Sequence, residues 1–172
     1  SIASYDNFHF KQVKEAIIKN KHIFVEKPLC LLPKELKILE SLLKNKPNII
    51  SSNLALRTTP LFKKIKNEIS KNKFGNIFYL EADYLWGRPE KLSQWRSKIS
   101  NYSIILGAAI HMIDLIIWIM DMLPESVSAF GNRLGNKKVT FDSFTLIILK
   151  FTNGIIVKIT ANAGAVHNFF HD

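Results

Sequence analysis

The sequence predicts an α/β chain in two parts: a parallel βαβ segment, then an α/β region with an open, mainly antiparallel sheet. Three observations carry this. Within the first 25 residues a helical apolar pattern lies between two strand-like stretches, and a strand–helix–strand of that length makes its strands parallel. From Phe78 onward apolar and polar residues alternate, as in a strand with one buried face. Near the end, Thr152-Asn153-Gly154 separates two β-rich runs, and Asn-Gly suits the positive φ values of a type I′ hairpin. The texture changes between Arg57 and Pro60, so the domains are expected at 1–57 and 58–172.

The elements follow in order. Ser1–Ser4 reads as the tail of a strand. Asp6-Asn7 is a turn and N-cap for a helix from Phe8 to Asn20, with Phe10, Val13 and Ile17 on its inner face. His22–Val25 is a short buried strand. Pro33 opens a helix with Leu36, Leu39, Leu42 and Leu43 on one face. Asn48–Leu56 is a strand, and Pro60 opens a helix with Leu61, Phe62, Ile65 and Ile69 inward. Phe78, Leu80, Ala82, Tyr84 and Trp86 form the buried face of the next strand. An apolar helix spans Leu106–Met122, and strands follow near Glu125–Gly131, Ser143–Phe151 and Ile155–Asn162.

Composition excludes several classes. With 47% hydrophobic and 22% charged residues over 172 positions, the chain is globular. A single cysteine, Cys30, rules out an intramolecular disulfide framework and fits a cytoplasmic location. The start lacks the basic and apolar regions of a signal peptide. The apolar run Ile104–Met120 carries His111 and Asp114 near its middle, which argues against a membrane span. The net charge of +10 raises the question of nucleic acid, yet the lysines are scattered over helices and their flanks. They read as solvated faces. No nucleic-acid or membrane partner is expected.

Four clusters bear on chemistry. "ASYDNFH", Ala3–His9, sits where a strand meets a helix; Asp6 reads as a cap for the helix, and His9, one turn further along, as a residue that could face a ligand on the same edge. Glu26-Lys27-Pro28 follows a strand, and open α/β sheets bind ligands beyond the carboxyl ends of their strands. It is either a polar turn or a lysine placed to bind a substrate hydroxyl. In "GAAIHMIDLIIW", His111 and Asp114 share a helix face at i, i+3. That histidine is either a core residue bonded to Asp114 or a proton carrier. No third ligand with suitable spacing supports a metal. "WGRPEKLSQWRSK" offers Trp86, Arg88, Trp95 and Arg96, groups that stack on rings or pair with carboxylates and phosphates, or that simply line a surface loop.

Together these clusters resemble the glucose–fructose oxidoreductase and inositol dehydrogenase family of NAD(P)-dependent enzymes. "NKHIFVEKPLC" is similar to that family's GKH(V/I)xxEKP strand, and Gly107, His111 and Asp114 match its G-x-x-x-H-x-x-D helix. "WGRPEKLSQWR" and "TANAGAVHNFFH" look like the branch acting on sugars and related polyols. The E-K-P lies about 84 residues before the histidine helix, with the right elements between.

The resemblance implies the C-terminal part of a Rossmann-like domain followed by a substrate domain. It implies NAD or NADP as cofactor, with Ser4, Asp6, His9, Glu26, Lys27, Pro28 and Asn53 on the cofactor edge. Lys27 and His111 would be catalytic and face one cleft, with Tyr84, Arg88, Trp95, Arg96 and Asp114 around a sugar-like substrate. Pro28 would fix the bend, through a cis bond where proline allows one.

Two departures qualify this. The family often has Thr-Pro-Asn where this chain has Ser4-Tyr5-Asp6. Many members have an aspartate where this chain has Gly107, so Lys27 and His111 would carry the proton chemistry. None of the seven glycines forms a G-x-G-x-x-G, so the resemblance implies a fragment, inactive by itself, whose phosphate loop belongs before Ser1 and whose sheet continues past Asp172. The open sheet would make a homo-oligomer. The rival readings are a cofactor-free structural or oligomerisation module derived from such an enzyme, and a nucleic-acid binder.

Overall fold

Proline begins two helices and asparagine follows the end of three. Helices α2 (Pro33–Leu43) and α3 (Pro60–Ser70) open on proline, whose missing N–H is one that a first turn leaves unbonded anyway. After α1 (Asp6–Ile18), α2 and α3 the chain turns at Asn20, Asn45 and Asn72, with φ of 53°, 65° and 55°. Asparagine tolerates this left-handed conformation better than most residues, so it stops a helix as glycine does. The computed structural model describes residues 1–87 and 89–164. The chain divides into two compact units, one of residues 1–54 with 99–102, the other of 55–98 with the residues from 103 on.

In the first unit β1 (Ile23–Val25) pairs in parallel with β2 (Ile50–Ser52), Ile23 opposite Ile50 and Val25 opposite Ser52. Ile2 makes a parallel bridge to Val25 on the other side. Helix α1 covers this sheet with Val13 and Ile17, which join Ile23, Val25 and Leu39 in the core. Burying each such side chain is worth about 1.5–3 kcal/mol before chain entropy is counted. The helix starts at Asp6, two residues before the expected position, with Tyr5 as its N-cap. Asp6 is therefore not the cap; its carboxylate lies in the first turn, near the positive end of the helix dipole. Leu36 departs from its expected inner face and stays 41% exposed, so α2 is anchored by Leu39.

The second unit holds a four-stranded sheet in the order β3-β6-β5-β4. Its strands are β3 (Tyr79–Leu85), β4 (Ser126–Asn132), β5 (Phe144–Lys150) and β6 (Ile156–Asn162). Strands β4, β5 and β6 pair antiparallel, and β3 joins β6 in parallel. Between Phe151 and Ile155 the hairpin has positive φ only at Gly154, at 86°. The expected type I′ turn is thus replaced by an i to i+3 turn closed by the Gly154 N–H on the Phe151 carbonyl, with glycine following in the left-handed region.

One sheet face buries Ile147, Leu149, Val157, Ile159 and Ala161. Buried beside it are Leu115, Ile116 and Ile119 of α4 (Ile110–Met120) and the small residues Gly107, Ala108 and Ala109. The opposite face divides into two. Phe130, Leu146 and Ile148 give β4 and β5 an apolar strip, while β3 and β6 carry Glu81 paired with Lys158, and Asp83 bonded to Thr160. Phe78 and Leu61, both expected inside, are 81% and 58% exposed.

Candidate functional site

In the first unit, charged and polar groups gather at the carboxyl ends of the parallel strands. Glu26 and Asn53 each follow the end of a strand, β1 and β2, and the Asn53 amide donates to Glu26 Oε1 at 2.9 Å. Since β1 and β2 are in register, the two side chains emerge side by side, and Asn53 fixes the carboxylate while both remain part-exposed. The next peptide, Lys27–Pro28, is cis. His9 is fully buried beneath this edge. Its Nδ1 lies 2.7 Å from the Pro28 carbonyl and its Nε2 3.1 Å from the Ser4 carbonyl, so the ring fills the space between two turns and donates to one of the two carbonyls in either neutral tautomer. Beyond the proline, burial first, then Glu35 and Glu40, push the Cys30 thiol up, which keeps it protonated.

The second unit builds a wall of rings around His111. Residues Ile105–Ala109 form a π-helical turn that runs directly into α4. Such wide turns recur at functional sites because they redirect the side chains that follow. His111 is half-buried in the first turn of α4, its imidazole stacked on Tyr84 at 5.8 Å between centroids and 13° between planes. Tyr84 reaches Trp86 at 6.2 Å. The Arg96 guanidinium lies 4.1 Å from the Trp95 ring and 5.7 Å from Trp86.

One turn past His111, Asp114 is gripped by Arg57. Arg57 Nε donates to Asp114 Oδ2 at 2.7 Å, and Nη2 donates to Oδ1. The hydrogen bond to Asp114 pushes the guanidinium further above its ordinary pKa, with burial opposing and charge attraction adding to the rise. Among the described residues, no group of three His, Cys, Asp or Glu side chains is placed to hold a metal. No helix of the described residues is long and apolar enough to cross a membrane.

A family model described as the oxidoreductase family with an NAD-binding Rossmann fold matches residues 1–54, and one described as the GFO/IDH/MocA C-terminal domain matches residues 62–170. This chain belongs to the GFO/IDH/MocA family. An uncharacterized oxidoreductase from Synechocystis is 25% identical over 181 aligned residues, covering 96% of this chain and 48% of its own length. Myo-inositol 2-dehydrogenase from Lactobacillus plantarum shares the fold with a TM-score of 0.85 at 20% identity, over 93% of this chain and 49% of that one. An inositol dehydrogenase homolog from Azotobacter vinelandii, complexed with NADH and myo-inositol, gives 0.87 at 14% identity, over 97% and 45%. The chain spans about half the length of the curated relatives it matches.

In this GFO/IDH/MocA chain the expected site residues separate by unit. Ser4, Asp6, His9, Glu26, Lys27, Pro28 and Asn53 lie in the first, and Tyr84, Trp95, Arg96, His111 and Asp114 in the second. Arg88 lies outside the described residues, as does the whole of the terminal "AVHNFFH". Two roles change. His9 has no exposed surface and turns both ring nitrogens to backbone carbonyls, so it shapes the edge rather than touching a ligand there. Asp114 gives both carboxylate oxygens to Arg57, so it braces the helix rather than offering itself to substrate. Arg57 was missed because it lies 57 positions from its partner. The only sequence signal was a carboxylate on an otherwise apolar helix, which needs a cation from somewhere.

Proposed function

We propose that this protein transfers a hydride between a nicotinamide dinucleotide and a hydroxyl-bearing carbon of a sugar, sugar derivative or cyclic polyol. The observation that carries the reading is His111, stacked on Tyr84 in the first turn of α4 with the Asp114–Arg57 pair one turn behind it. The family match to an NAD-binding oxidoreductase domain supports it, as does the fold shared with a myo-inositol 2-dehydrogenase and with an inositol dehydrogenase homolog complexed with NADH and myo-inositol.

The residues of the first unit suit the dinucleotide. A part-exposed carboxylate steadied by an amide, at the carboxyl end of a parallel strand, has the acceptor chemistry that ribose hydroxyls need. Glu26 and Asn53 would hold the nicotinamide ribose, and Ser4 and Lys27 would border it. When bound, the dinucleotide supplies the acceptor or donor of the hydride.

In the oxidative direction His111 takes the proton of the reacting hydroxyl. Gly107, four positions before His111, provides no carboxylate, so the proton role falls to His111. Tyr84 holds the imidazole plane by stacking, and Trp86, Trp95 and Arg96 line the substrate's other side. The test is formation of reduced nicotinamide with sugars and inositols. It is expected once a segment carrying a phosphate loop is joined ahead of Ser1, and reduced about 100-fold or more in His111→Ala of that protein. Full activity of that variant would overturn the assignment.

A further inference from the structure

Arg96 is a half-buried cation for which no ion pair forms among the described residues. The other engaged arginine, Arg57, is matched to Asp114. Arg96 instead rests against two indoles, Trp95 at 4.1 Å and Trp86 at 5.7 Å. Stacking occupies the faces of a guanidinium and leaves its N–H donors pointing outward in the plane, in the forked pattern that fits a carboxylate or a phosphate. Ring contacts run from there to the candidate catalytic residue: Trp86 to Tyr84 at 6.2 Å, then Tyr84 to His111 at 5.8 Å. Among the described residues from Trp86 to Lys98, Lys91, Arg96 and Lys98 are basic against Glu90 alone, a balance that favours an anion.

We propose that Arg96 is a specificity-determining residue that binds an anionic group, carboxylate or phosphate, on the substrate handled at His111. The inference rests on the function proposed above and narrows it from sugars and polyols to sugar acids or sugar phosphates. The aromatic wall takes the ring of the sugar, and Arg96 takes the charge at its far end. Trp86 and Trp95 hold the guanidinium where a flexible side chain would otherwise lose conformational freedom on binding.

Tryptophan fluorescence tests this without turnover, because two of the three tryptophans touch Arg96. The chain is titrated at fixed ionic strength with glucose, glucuronate, glucose 6-phosphate and inorganic phosphate, and the series is repeated on Arg96→Gln and Arg96→Lys. One charged hydrogen-bonded pair corresponds to about tenfold or more in affinity. One anionic sugar should therefore bind at least about tenfold more tightly than glucose, and Arg96→Gln should remove the difference. Arg96→Lys keeps the charge and loses the fork, so it should fall between. Preference for glucuronate or for glucose 6-phosphate decides which anion is meant. Equal binding of glucose and both anionic sugars, or equal losses for all of them in Arg96→Gln, would overturn the inference while leaving the sugar reading intact. Phosphate binding that depends on Arg96, with no sugar bound, would keep the anion site and defeat the sugar reading. No response to any probe would defeat both.

Discussion

Removing Arg57 should cost more than removing its partner. The Asp114 side chain is 10% exposed and that of Arg57 43%. Arg57→Ala therefore strands a nearly buried carboxylate, whereas Asp114→Ala leaves a guanidinium that can turn toward water. Breaking a fully buried pair from one side costs about 3–5 kcal/mol, but water reaches this one through Arg57, and about 2 kcal/mol is the appropriate scale. Asp114→Ala should cost about 1 kcal/mol, and the double variant should resemble Asp114→Ala because the stranded charge is gone. For a chain of this size these values correspond to falls in Tm of roughly 4–8 °C and 2–4 °C. All three tryptophans, Trp86, Trp95 and Trp118, belong to the second unit, so urea unfolding followed by their fluorescence reports the unit that holds the pair. Equal costs for the two single variants, or a double variant worse than Arg57→Ala, would refute the reasoning.

Three other outcomes follow from the same structure. None of the seven glycines forms a G-x-G-x-x-G, so the 172-residue polypeptide should bind NADH weakly, in the ~mM range, because helix-terminus phosphate contacts supply much of dinucleotide affinity; micromolar binding by calorimetry would contradict this. Hydrogen bonds from Lys158, then Tyr79, hold the Glu81 carboxyl below its usual range, so its stabilisation is present at neutral pH and lost as pH falls through that lowered pKa. Lys158 is raised by the same pair, and its part is lost only as pH rises through its raised pKa; Glu81→Gln should flatten the acid limb of stability against pH, and an unchanged limb would count against the pair. The apolar strip of Phe130, Leu146 and Ile148 should drive self-association, seen as a dimer or larger species in sedimentation and weakened in Phe130→Asp; a monomeric wild-type chain would contradict it.

Much of the fold is legible because local chemistry writes it. Pro33 and Pro60 mark helix starts, Val13 and Ile17 mark a buried face, and alternation marks the strands. Helix ends are less legible, since an asparagine in the left-handed region looks like any polar residue in a lysine-rich flank. Parallel pairing of β3 with β6 is hidden because alternation is the same in either direction. In the candidate site, E-K-P and H-x-x-D are visible as local patterns. What escapes is every contact made across the chain: His9 on the Pro28 carbonyl, Asn53 on Glu26, Tyr84 on His111 and Arg57 on Asp114. Side-chain spacing rules reach only one helical turn or one strand pair, and these partners lie between 19 and 57 positions apart.

Hydride transfer with His111 as the proton carrier is the function proposed for this chain. Its most direct test is transfer of deuterium from C4-deuterated NADH, supplied above its dissociation constant, to an oxidised sugar or inosose, read by mass spectrometry of the product. With a phosphate-loop segment joined ahead of Ser1, one deuterium is expected on the reduced carbon, and a rate about 100-fold lower in His111→Ala of that protein. Absence of transfer across neutral and anionic sugars, or an undiminished rate in His111→Ala, would contradict it.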